Sequence, residues 1–340
     1  MQETGFSRTS KAILVAAALV IIIAGMKQAA SLLVPFFLSV FIAVLCLPLM
    51  LNLQNRGLGK NSSLLVVIAL IIIAGLGVAV LIGSSADDFS RNLPTYQLRI
   101  SQQWQVLIGW MAAQGIVLPA DYLNSNIDPK SAMKMVASIL SGFGNVLTNS
   151  FLIFLTVIFI LLEAATFSKK IEMMTVNKEG DDFSSVFTEK LRMYMSIKTW
   201  MSAATGVLIA LWLWLLGVDY PALWGVLAFM LNYVPNIGSI IAAVPAVLLA
   251  LIQIGTGTAL LVMTGYMIIN IVMGNVIEPK YMGKGLGLST LVVFLSLVFW
   301  GWVLGTAGML LSVPLTVAVK LALDSKKESQ WLGAILGPAA

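Results

Sequence analysis

The stretch DYPALWGVLAFMLNYVPNIGSIIAAVPAVLLALIQ, Asp219 to Gln253, constrains the fold more than any other part of the chain. Two apolar arms, Pro221 to Tyr233 and Gly238 to Gln253, are separated by a turn-forming cluster of Pro235, Asn236 and Gly238. At about 1.5 Å per helical residue the arms reach roughly 20 and 24 Å, short of the ~30 Å hydrocarbon layer of a bilayer. The expected object is a broken or re-entrant helical hairpin. Irregular backbone at that depth is tolerated only where protein buries it or where it lines a water-filled cavity, so a polar path is sought here first.

Composition supplies the membrane. Hydrophobic residues make up 59% of the 340, charged residues 10%, and mean hydropathy is +0.96, whereas soluble domains carry about 25% charged residues. The fold class expected is all-α, a polytopic integral membrane protein with broken or re-entrant hairpins and a small helical extramembrane insert. Histidine is absent and Cys46 is the single cysteine. That excludes Ser-His-Asp catalysis, His-zinc sites, cysteine metal cages and an intrachain disulfide. No enzyme activity, catalytic residue, cofactor or metal is expected. The formal charge of +5 is spread over short loops, which reads as a topology signal and not as a nucleic-acid surface. Nucleotide motifs also fail, because Gly57-Leu-Gly-Lys60 lacks the upstream glycine and the following Ser or Thr of a P-loop.

Taken in order, residues 1–82 read as N-terminal membrane helices: a retained anchor Ala12 to Gly25, then Ser31 to Leu51 and Leu64 to Ile82. Residues 83–145 lose the long apolar runs and form an insert on the outer face. Tyr96, Ile100, Trp104, Leu107 and Met111 recur there at helical spacing. Residues 146–323 read as a membrane transport core containing a charged cytoplasmic loop, 168–198, and a polar turn around Asn275 to Ser289. A second broken pair, Thr290 to Leu304 and Ala307 to Leu323, precedes a cytoplasmic tail, 324–340. Gathering Arg8, Lys11, Arg56, Lys60, the 168–198 loop, Lys280 and Lys284 on one side places both termini in the cytoplasm.

The two broken pairs share a pattern, Gly238-Ser-Ile-Ile-Ala-Ala-Val-Pro245 against Gly308-Met-Leu-Leu-Ser-Val-Pro314. Paired Gly/Pro interruptions of this kind point to a transporter's binding region; a chance match between apolar stretches is the alternative. The candidate substrate path comprises Pro235, Asn236 and Gly238 to shape the break, with Asn232, Ser239, Asn270 and Asn275 as hydrogen-bonding groups. Glu278 and Pro279 would fix the adjoining turn. For Asn270 and Asn275 the competing role is bonding between helices. Glu163 and Glu278 are the carboxylates available for proton coupling.

Two stretches, LNYVPNIGSIIAAVPAVLLAL and GNVIEPKYMGKGLGLSTLVVFLSLVFWGWVLGTAGMLLSVPLTVAVKLAL, together with the early LLVPFFLSVFIAVLCLPL, resemble the autoinducer-2 exporter family, also called PerM-like, and its TqsA branch. That resemblance implies a multi-pass protein of the bacterial inner membrane, a homo-oligomer that exports the quorum-sensing signal autoinducer-2, a small polar sugar-like solute. Its partners would be that solute and membrane lipid. Monovalent cation/proton antiport is the alternative implied by some relatives. A non-transporting scaffold or regulator is the alternative of another class.

Overall fold

The computed structural model describes residues 8–115, 152–163, 181–235, 237–282, 288–324 and 329–337. Helices account for nearly all of them, and no strand occurs among the described residues. In chain order they are α1 (Arg8–Gln28), α2 (Ala30–Asn55), α3 (Lys60–Ala113), α4 (Leu152–Glu163), α5 (Asp181–Leu215), α6 (Pro221–Leu231), α7 (Gly238–Gln253), α8 (Thr256–Asn270), a π-helical segment (Ile271–Ile277), α9 (Glu278–Met282), α10 (Thr290–Asp324) and α11 (Gln330–Ile335). Five helical stretches are long and apolar enough to cross a membrane: Ala30–Asn55, Lys60–Ala113, Met193–Leu215, Thr256–Tyr281 and Thr290–Asp324. The protein is an all-α polytopic membrane protein.

The chain divides into two compact units. One comprises Met1–Val44, Leu152–Leu191 and Leu286–Ala340. In it, α10 turns back on itself at Gly305, whose φ of 69° and ψ of −151° lie outside the helical region. A reversal is required by reach. Trp300 Nε1 donates to Thr316 Oγ1 at 3.0 Å, although sixteen residues of straight helix would separate them by about 24 Å. Past the returning arm, α11 packs back on Asp324 through Gly333, and Ser289 N donates to Leu336 O at 3.0 Å. Gly308 opens the returning arm against the carbonyl of Trp300, where a β-carbon would clash with backbone. Ile23, Met26, Ala30, Leu33, Val34 and Phe37 pack on Trp300, Val303 and Leu304. Lys27 Nζ lies 4.0 Å from the centre of the Trp302 ring, a cation–π contact.

The second unit comprises Leu45–Phe151 and Arg192–Gly285. Its core gathers Ile82, Phe89 and Tyr96 of α3, Ile209 and Leu213 of α5, Trp224 and Leu227 of α6, Ala242, Ala246 and Leu249 of α7, and Val262 and Tyr266 of α8. Small residues set the closest approach: Gly206 of α5 faces Gly225 of α6, so that a β-carbon on either would meet the other's carbonyl at 2.6 Å. Here α6 and α7 form the interrupted hairpin. Gly238 begins α7 against the carbonyl of Leu231, the last residue of α6, which repeats the Gly308–Trp300 arrangement of the other unit.

Three local expectations change. The span and the first insert helix, read as separate pieces, are one helix, α3, running through Gly83 and Pro94. Apolar residues at helical spacing, Phe89, Leu93, Tyr96 and Ile100, carry the buried face past the polar residues at 84–88. Residues 181–198, assigned to a loop, are the first half of α5. Asn275 to Pro279 are not a turn but helix, because the preceding π-helical segment offers Pro279 a widened register in which its missing N–H and its ring are accommodated. The rest of the insert, residues 116–145, lies outside the described residues, as do the side chains of Trp104 and Leu107.

Candidate functional site

The tip of the α6–α7 hairpin abuts a polar stripe on α5. Tyr194, Lys198, Ser202 and Thr205 recur at steps of four, four and three and are all buried, so they share one helix face. Asn232 Nδ2 donates to Ser202 Oγ at 2.9 Å. Tyr233 OH donates to Thr199 Oγ1 at 2.8 Å, and Thr199 in turn donates to Met195 O at 2.7 Å. Around the tip the backbone closes with Val234 N to Leu231 O and Gly238 N to Val234 O bonds of 2.8 and 3.2 Å.

One turn from Ser202 sits an ion pair. Lys198 Nζ contacts both carboxylate oxygens of Glu278 at 2.8 and 3.0 Å. The side chains are 7% and 17% exposed, so neither charge is well hydrated. Such a pair adds little net stability, because desolvation offsets the attraction, yet breaking it leaves a costly lone charge. Ionisable groups inside a membrane protein therefore point to function before stability. The π-helical segment Ile271–Ile277 ends directly before Glu278, and π segments recur at functional sites. The cluster thus combines an ammonium, a carboxylate, an amide and hydroxyls with zero net charge, suited to a neutral hydrogen-bonding solute. Among the described residues no group of three or more His, Cys, Asp or Glu could hold a metal.

The residues expected from sequence divide. Asn232 and Glu278 belong to this cluster, and Gly238 is buried as the close-contact point beneath it. Pro235 and Ser239 flank it, half-buried, and Asn236 lies outside the described residues. Asn270 instead donates to Tyr266 O of its own helix at 2.8 Å. Asn275 and Pro279 are exposed on the helix surface. Glu163 ends α4 in the other unit and is exposed. Lys198, Ser202 and Thr199 are not among the expected residues, because the expected loop 168–198 takes in Lys198 as a topology signal. The 194, 198, 202, 205 spacing marks a shared polar face but not the partner that buries it.

Residues 16–328 match the family model described as AI-2E family transporter. This chain belongs to the AI-2E transporter family. It is 39% identical over 327 residues to the AI-2 transport protein TqsA of Escherichia coli K12, covering 96% of this chain and 95% of that protein. It is 42% identical over 329 residues to a transport protein of Haemophilus influenzae Rd, covering 94% of each. YhhT of Escherichia coli K12 is 32% identical over 323 residues, with coverages of 95% and 93%. The last two are named as candidate transport proteins, with no cargo in the name. Within the AI-2E family the chain stands with TqsA, and membership makes it a membrane transporter.

Proposed function

We propose that this transporter exports a small polar metabolite, autoinducer-2, across the bacterial inner membrane, with the α6–α7 tip and the facing stripe of α5 as its solute site. The observation that carries the reading is a charge-balanced polar cluster, Lys198, Glu278, Asn232, Ser202 and Thr199, packed against a backbone break. A neutral hydroxylated solute needs donors and acceptors in a sheltered site, not a fixed net charge. The cargo named for the TqsA relative supports the same solute.

The hairpin re-enters in this reading. With 11 residues, α6 is about 16 Å long, roughly half the hydrocarbon thickness, and its feet are joined by the Asp219 N to Gln253 Oε1 bond of 2.9 Å. Both termini lie in the cytoplasm, in keeping with the basic residues near them. Exposed Leu98, Val106 and Trp110 on the far part of α3 supply an apolar surface for a homo-oligomer.

The test is efflux of autoinducer-2 from liposomes containing the purified chain, with and without a proton gradient. Efflux above that of empty liposomes, reduced at least tenfold by Asn232→Ala, is expected; rates equal to empty liposomes would sink the proposal. Monovalent cation/proton antiport is the second reading, favoured by the placement of Glu278 in the cluster. It requires that Glu278→Gln abolish a proton-coupled cation flux.

A further inference from the structure

A polar ladder clamps the feet of the α6–α7 hairpin. On α3, Asn92, Tyr96, Arg99 and Gln103 are spaced four, three and four apart and so share a face. Asn92 Nδ2 donates to Tyr220 OH at 3.2 Å, and Tyr96 OH donates to Asp219 Oδ2 at 3.0 Å. Arg99 Nη1 donates to Gln253 O at 3.1 Å, and Gln103 Nε2 donates to Leu251 O at 2.9 Å. The first two rungs hold the entering foot and the last two the leaving foot. Gln253 ties the feet together, accepting from Asp219 N at 2.9 Å and donating to Gly217 O at 3.2 Å.

The backbone at these feet is unusual. Tyr220, the residue before α6, has φ of 60° and ψ of 44°, and it is the one non-glycine with positive φ among the described residues. Gly217 and Gly255 bracket the hairpin with φ of 70° and 128°. Left-handed backbone at a bulky residue persists only where its surroundings enforce it, and such strain gathers at switch regions. Apolar packing of Phe89, Leu93 and Ile100 already joins α3 to this unit. The four-rung ladder adds direction: it grips only the two ends of the interrupted hairpin.

We infer that the clamp positions the hairpin tip: Tyr96, Asp219 and Gln253 are positioning residues for transport, and their release lets α6–α7 swing about Gly217–Tyr220 and Gly255, withdrawing the tip from Thr199 and Ser202. This rests on the transport reading of the tip. The solute meets the cluster in the seated state, and turnover requires the unseated one. Tyr96 controls the exchange from the opposite end of the hairpin.

The experiment uses the full chain in liposomes, with Cys46→Ala removing the native thiol and Ser239→Cys reporting the tip to a membrane-impermeant maleimide. Tyr96→Phe keeps the ring beside Phe89, 5.7 Å away between centroids, and deletes only the hydroxyl. Loss of one such bond shifts the seated population about fivefold, so tip labelling speeds up about fivefold. The maximal rate of autoinducer-2 efflux rises with it, at unchanged KM. Asp219→Asn retains an acceptor and labels within about twofold of the parent, whereas Asp219→Ala follows Tyr96→Phe. Labelling of Tyr96→Phe at the parent rate overturns the clamp, as does a lowered melting temperature with labelling and efflux kinetics unmoved. If labelling responds but the parent shows no efflux, the clamp stands and the transport reading fails.

Discussion

The two hairpins, α6–α7 in one unit and the two arms of α10 in the other, solve the same packing problem with different tips. Each returning arm opens on a glycine seated against a carbonyl at the end of the entering arm, Gly238 on Leu231 and Gly308 on Trp300. Each carries a proline within that arm, Pro245 and Pro314. The α10 reversal is tight, centred on Gly305, and its buried polar groups satisfy one another or their own helix: Trp300 with Thr316, Ser312 with Met309 O, Ser296 with Val293 O. The α6–α7 tip is longer and spends its polar groups outward, on Ser202 and Thr199 beside Lys198 and Glu278. Close backbone approach makes a hairpin; polar groups that reach another helix make a candidate site.

Substitution at the shared device gives the largest effect. Gly238→Val and Gly308→Val each drive a side chain into backbone that cannot yield, and each costs more than about 4 kcal/mol. The readout is loss of monodisperse protein in size exclusion, and a tolerated variant at either position would break the equivalence of the two hairpins. Next comes Glu278→Gln, which strands the Lys198 charge at a cost of about 3 kcal/mol. Replacing Lys198 and Glu278 together by Met restores the melting temperature without restoring efflux.

Thr316→Val leaves Trp300 Nε1 without its acceptor and lowers stability by about 1–3 kcal/mol. Autoinducer-2 efflux per folded molecule is unchanged. Asn232→Ala reverses that balance, costing about 1 kcal/mol of stability while efflux falls at least tenfold. Should Thr316→Val impair efflux as strongly as Asn232→Ala, the assignment of function to only one tip would be wrong.

Much of this was legible in the residues. The apolar runs, the Pro/Asn/Gly break and the Gly238–Pro245 and Gly308–Pro314 pattern locate both hairpins, because chain length against bilayer thickness and the conformational demands of a turn are local properties. Asn232 and Glu278 stand out in the residues as polar groups of membrane segments, and the structure brings both to the face of α5. The placement of the other candidates is equally physical. Asn232 follows the end of α6, whereas Asn270 and Asn275 lie along a helical stretch whose rotation sends one to its own backbone and the other to the surface. Lys198 read as a loop charge because a lysine at the edge of an apolar run resembles a topology signal, and only a partner eighty residues away makes it a buried one.

What the chain determines by itself, then, is that it is helical, lies in a membrane and is interrupted twice, since each follows from hydropathy and backbone preference over a few turns. Tertiary structure alone decides that Glu278 is answered by Lys198, that α3 extends to hold both feet of one hairpin, and that one tip is polar toward its neighbour while the other is closed. These depend on which faces meet across long sequence separations, and the spacing within a single helix does not carry that information.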